Sequence, residues 1–148
     1  MQHKEMTAEI INSFYKVFNT LGYGFLEKVY ENALSIELKK KGLNCKRQKP
    51  ITVFYENEIV GEYFADLIVN DEIIIELKAC ETLIKEHEIQ VVNYLKATKI
   101  EVALLLNFGK TPEIKRKKFN KFGKVAIIIP TKNKTCRRYY WCRCVTNR

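Results

Sequence analysis

The chain has 148 residues, 47% of them hydrophobic, which suffices for one compact domain with a sizeable core and hardly for two. No run approaches the roughly 18 apolar residues of a membrane helix, and the opening MQHKEMTAEI has no apolar segment of the kind an export signal needs; the expectation is an intracellular protein with no membrane partner. The formal charge of +9 is uneven: residues 110–148 hold 13 basic residues and one acidic, residues 1–109 hold 13 and 16, and a basic C-terminal third favours phosphate backbones through counterion release without specifying a base sequence.

Ile10, Ile11, Phe14, Val17 and Phe18 recur at helical spacing and predict a helix over 5–19, interrupted by Gly22 and Gly24. Leu26, Val29, Tyr30, Ala33, Leu34 and Leu38 define a second amphipathic helix, ending near Lys41-Gly42 where glycine takes the left-handed cap position. From Asn44 the period falls to two. Strands are expected at 51–55, 60–69 and 72–79, with Asn57 and Asn70-Asp71 as turn signals, followed by a helix at 83–96 and buried strands at 101–107 and 124–129. This order gives an α/β or α+β fold with a mixed sheet.

Five cysteines (Cys45, Cys80, Cys136, Cys142, Cys144) are an odd number without an even framework, and the Cys142/Cys144 spacing fits zinc poorly, so free thiols in a reducing compartment are expected. There is no Walker A pattern, no dinucleotide fingerprint around Gly22-Tyr23-Gly24 and no nucleophilic serine elbow.

The residues suited to chemistry are carboxylates and one lysine. Glu76 and Lys78 share a strand face and intrude on the apolar run Ile73, Ile74, Ile75, Leu77; charges are rarely buried without a partner. The bland reading is an ion pair at a sheet edge. The functional one is a metal ligand beside a lysine facing a phosphate. A two-residue turn at Asn70-Asp71 would set Asp66 opposite Ile75 and send Glu76 to the other face, so a shared site requires an odd loop, for example Asn70 to Glu72, with Asp66 opposite Glu76. Hard oxygen ligands of this kind suit Mg²⁺ or Mn²⁺. Glu27 and Glu31 lie four apart on the second helix; Glu27, near the helix start, is favoured and Glu31 is expected to be a solvated charge. Gln90, with Tyr94 on the same face of its helix, is a candidate to position water or phosphate, or else a core hydrogen-bonding group. His87 and His3 make weak cases for acid–base catalysis.

Gly24-Phe25-Leu26-Glu27-Lys28-Val29-Tyr30 with Glu31-Asn32-Ala33-Leu34, then Asp66-Leu67-Ile68-Val69, Ile75-Glu76-Leu77-Lys78-Ala79, Gln90 with Asn93-Tyr94-Leu95-Lys96, and Leu105-Leu106-Asn107-Phe108-Gly109 together resemble the GxxExxY proteins of the PD-(D/E)XK nuclease superfamily, over residues 5–130 and in the expected order. The resemblance implies a restriction-endonuclease-like core, a central mixed sheet flanked by helices, as a domain spanning 1–130. It also implies a site of Glu27, Asp66, Glu76, Lys78 and Gln90, in which Glu27, Asp66 and Glu76 bind the divalent metal and the lysine assists phosphodiester cleavage. The superfamily's proline has no counterpart before Asp66, where Ala65 stands.

Residues 131–148 form an extension outside the resemblance, in which Arg137, Arg138 and Arg143 interleave with Tyr139, Tyr140 and Trp141 as a base-stacking, phosphate-neutralising composition. With Lys115, Arg116, Lys117 and Lys118, Arg137 and Arg138 are the expected nucleic-acid contacts. The leading expectation is a metal-dependent nuclease acting on DNA, as a homodimer if both strands are cut. The rivals are a non-catalytic nucleic-acid-binding protein of the same fold and an interaction protein binding an acidic partner.

Overall fold

The computed structural model describes residues 3–120, with the backbone of 126–127 and 140–141. Helices α1 (His3–Leu21) and α2 (Glu27–Lys40) are followed by strands β1 (Cys45–Tyr55), β2 (Glu58–Val69) and β3 (Ile73–Lys78), helix α3 (Lys85–Ala97), and strands β4 (Val102–Asn107) and β5 (Glu113–Lys118). The sheet order is β1-β2-β3-β4-β5, antiparallel except for the parallel pair β3/β4 that α3 connects, so the sheet is mixed and helices flank it as expected.

Two apolar layers hold the helices to opposite faces. On one side Met6, Ile10, Phe14 and Val17 of α1 and Tyr30, Leu34 and Leu38 of α2 pack on Leu67, Val69, Ile73, Ile75, Leu77, Leu104 and Leu106. On the other, Val91, Tyr94 and Leu95 of α3 pack on Ile51, Ala65, Ile68, Ile74, Ala103 and Leu105. Both faces of β3 and β4 are therefore covered, which is why these strands read as unbroken apolar runs. Gly42 (φ +77°) ends α2: its N–H donates to Lys39 O at 2.9 Å and the Leu43 N–H to Leu38 O at 3.1 Å, the paired bonds of a Schellman cap.

Two elements differ from the sequence expectation. Strand β1 begins at Cys45, six residues before 51, because it is an edge strand, where Lys46, Arg47, Lys49 and even Pro50 are tolerated. Residues 113–118, with no apolar alternation, form the opposite edge β5. Of the strand expected at 124–129, Ala126–Ile127 (β6) is described and pairs antiparallel with Tyr140–Trp141 (β7); the rest lies outside the described residues. The boundary at 130 and most of the extension, with Arg137, Arg138, Cys136, Cys142 and Cys144, lie outside them too. No helix among the described residues is long and apolar enough to cross a membrane.

Candidate active site

The β2–β3 connection decides what Asp66 and Glu76 can do together. Asn70 and Asp71 adopt φ of +51° and +57°, Glu72 N–H closes onto Val69 O at 2.9 Å, and the strands pair Val69↔Ile73, Ile68↔Ile74 and Leu67↔Ile75. The loop has the odd length, Asn70 to Glu72, that a shared site requires, and continuing the register by one residue sets Asp66 level with Glu76. Pairing stops there. Asp66 Oδ2 accepts the Leu77 N–H at 2.8 Å, a side chain standing in for a backbone rung where the two strands part.

Ile74 belongs to the core under α3, so the period of two sends Glu76 and Lys78 toward the same face. Glu76 is 4% exposed; its Oε1 is 3.7 Å from Lys78 Nζ and its Oε2 is buried without a hydrogen-bond partner. Burial pushes the Glu76 carboxyl up to about 8, the charge of Asp66 acts the same way, and Lys78 opposes both. Asp66 is also raised, chiefly by burial, with the Leu77 N–H and Gln48 pulling the other way. A buried acid with one orphaned oxygen is a high-energy arrangement, and such groups concentrate at functional sites.

Glu27 opens α2 as an exposed residue whose charge contributes to the raised Glu76. The segment before it is held by Tyr30, whose hydroxyl donates to Gly22 O at 2.7 Å and accepts the Phe25 N–H at 3.3 Å while its ring stacks on Phe108, centroids 4.2 Å apart. Glu31, expected to be solvated, is instead 3% exposed. Its Oε1 accepts from Arg47 Nε at 3.0 Å and Lys28 Nζ at 3.2 Å, and its Oε2 from Gln48 Nε2 at 3.0 Å. The Gln48 nitrogen also lies 3.2 Å from Asp66 Oδ1. The only advance signal for Glu31 was its i, i+4 relation to Glu27; nothing in the sequence marked Gln48.

On α3, Gln90 Nε2 donates to Tyr94 Oη at 2.7 Å, and both side chains line a groove of about 290 Å³ with Ile51, Val53, Tyr63, Ile89 and Ala97. Burial first, then the charge of Glu76, pushes the Tyr94 hydroxyl up to about 12, so it stays neutral even in alkaline solution. Along β5 the basic residues divide between faces. Lys115 and Lys117 are level with Leu105 and Ala103 on the α3 side, Arg116 and Lys118 with Leu104 and Val102 on the other, and Lys117 is paired with Glu88.

A family model described as PD-(D/E)XK nuclease superfamily matches residues 4–119. The chain belongs to this superfamily. Among solved structures, one titled "Crystal structure of SSO0001" superposes with a TM-score of 0.52 and 17% identity, over 62% of this chain and 48% of its own. This PD-(D/E)XK chain thus spans about half the length of that protein, and the likeness carries the fold alone. No curated protein matches.

Fit to a divalent cation can be judged from the donor set. Among the described residues no three His, Cys, Asp or Glu side chains stand together as a ready cluster. Asp66 and Glu76 supply hard oxygens set level by the register, and the orphaned Glu76 Oε2 is the kind of atom a cation satisfies.

Proposed function

We propose that this protein is a metal-dependent nuclease hydrolysing phosphodiester bonds in DNA. The observation that carries the reading is the fork between β2 and β3, where a three-residue loop sets Asp66 level with a buried, half-unsatisfied Glu76 that has Lys78 beside it. Asp66, Glu76 and Glu27 would hold Mg²⁺ or Mn²⁺. Such an ion supplies Lewis acidity at the phosphoryl oxygen and a more acidic water. Lys78, 17% exposed at the site, places an ammonium where charge develops as water adds to phosphorus and the ester oxygen leaves. Gln90 and Tyr94 present neutral polar groups on the wall formed by α3, suited to a water or a phosphate oxygen. Within the superfamily we assign the chain to the GxxExxY proteins. Supporting that assignment, Gly24 takes φ +107°, Glu27 opens the helix, and the Tyr30 hydroxyl holds the turn that delivers it. A homodimer is part of the proposal, because cutting both strands of a duplex favours paired sites.

Cleavage of linear, single-stranded, branched and RNA substrates with Mg²⁺ or Mn²⁺ tests the reading. The wild type should cut at least one substrate, and Glu76→Ala and Lys78→Ala should each lose that cutting. A wild type that cuts nothing while binding DNA with salt-sensitive affinity would establish the second reading, a non-cleaving nucleic-acid-binding protein. The absence of a ready three-acid cluster among the described residues favours that alternative.

A further inference from the structure

Gln48 stands in the middle of β1 with φ +48°, a left-handed conformation that a non-glycine residue in a strand adopts only when its surroundings impose it. The pairing with β2 runs Arg47↔Leu67 and then Lys49↔Ala65, so Gln48 and Asp66 face one another at the rung that is missing between them. The local twist delivers the Gln48 amide between two carboxylates, Glu31 Oε2 at 3.0 Å and Asp66 Oδ1 at 3.2 Å. Both neighbours are acceptors, so the nitrogen must face them, with one N–H for each. Glu31 is in turn fixed by Arg47 and Lys28, and Asp66 by the Leu77 N–H.

We propose that Gln48, anchored on Glu31, is the positioning residue for Asp66. Its amide pins one Asp66 oxygen from β1 while the Leu77 N–H pins the other from β3, which fixes the plane of the carboxylate before any ligand arrives. The same amide separates Asp66 from Glu31, so two acids sit side by side without direct contact. Gln48 itself reaches neither substrate nor ion, and its effect passes through Asp66. The inference rests on the nuclease reading only in assigning Asp66 to a metal; the pinning of Asp66 stands without it.

Two variants test the idea. Gln48→Gly keeps the left-handed backbone at no steric cost and removes the amide. Gln48→Glu keeps the shape and replaces the donor with a third acid. Two readouts are taken on folded protein: Mn²⁺ binding by calorimetry, and hydrogen exchange of the Leu77 amide by NMR. Removing a group that orients a metal ligand weakens binding by about 10–100-fold. Both variants should show that loss, and both should exchange Leu77 about tenfold faster while amides in α1 keep wild-type protection. Unchanged Mn²⁺ affinity, or an unchanged Leu77 amide, overturns the proposal. A wild type that binds no Mn²⁺ but whose Leu77 exchange accelerates in both variants upholds the pinning by Gln48 and overturns the metal assignment instead.

Discussion

Glu76→Gln should make the protein more stable and less functional at once, with a size that depends on pH. The Glu76 carboxyl is raised from an ordinary 4.5 to about 8 by burial and by Asp66. A carboxyl raised on folding means that the native state holds a proton the unfolded chain releases. The wild type therefore loses stability as pH climbs from 4.5 to 8, is unaffected by this group below 4.5, and carries the full penalty above 8. At about 1.4 kcal/mol per pH unit that penalty is on the order of 5 kcal/mol at most. Glutamine has the shape of the protonated acid and no charge to desolvate, so the variant escapes it. Urea titrations at pH 4.5, 6.5 and 9 should give similar unfolding free energies for the two proteins at the lowest pH, and a gap of a few kcal/mol in favour of the variant at the highest. Adding Mn²⁺ at pH 9 should narrow the gap by stabilising the wild type alone. A gap that is absent at pH 9, or that favours the wild type in metal-free buffer, would refute the claim that Glu76 is held at an energetic cost.

Tyr30→Phe leaves the Gly22 carbonyl and the Phe25 N–H without their bonds while preserving the stack on Phe108, so stability should fall by about 1–2 kcal/mol in chemical denaturation, and cleavage should fall further than stability because the turn delivers Glu27. On β5, Lys115 lies in the same row and on the same face as Glu76, two strands away through Leu105 and hence about 10 Å across the sheet, whereas Arg116 faces the opposite side. Lys115→Ala should lower the slope of log binding constant against log salt by roughly 1 and Arg116→Ala should leave it near wild type, as measured by fluorescence anisotropy on duplex DNA.

The parts of this molecule legible from sequence are those in which local pattern and tertiary position agree. The caps are an example: Gly42 after an amphipathic run can end the helix in a left-handed turn, and it does, with Leu43 returning to the core beside Leu38. Strands β3 and β4 are covered on both faces, and their composition says so. The edges were harder because an edge strand has only half its surface to bury. β5 carries lysines and arginine at 115–118, a composition that discourages pairing with another chain, and therefore looks like a solvated tail until the β4 register is seen.

The site divides along the same line. Glu76 and Lys78 were visible as charges inside an apolar run, and Asp66 joined them only on the condition of an odd loop, which the left-handed Asn70 and Asp71 meet. The roles of Glu31 and Gln48 were not visible because they are made by contacts across 16 and 17 residues of chain between a helix and an edge strand, and across 18 between that strand and β2, whose register the sequence does not specify. An i, i+4 pair of glutamates shows one exposed and one buried partner only when the helix has a neighbour. Here Arg47 and Gln48 on β1 take the buried one and leave Glu27 facing outward. Glu27 and Glu31 are thus separable, Glu27 as an exposed carboxylate whose charge reaches Glu76 and Glu31 as the buried one proposed to anchor Gln48. The buried half of that division depends on Gln48, a single residue of β1 whose left-handed backbone sets its amide against both Glu31 and Asp66.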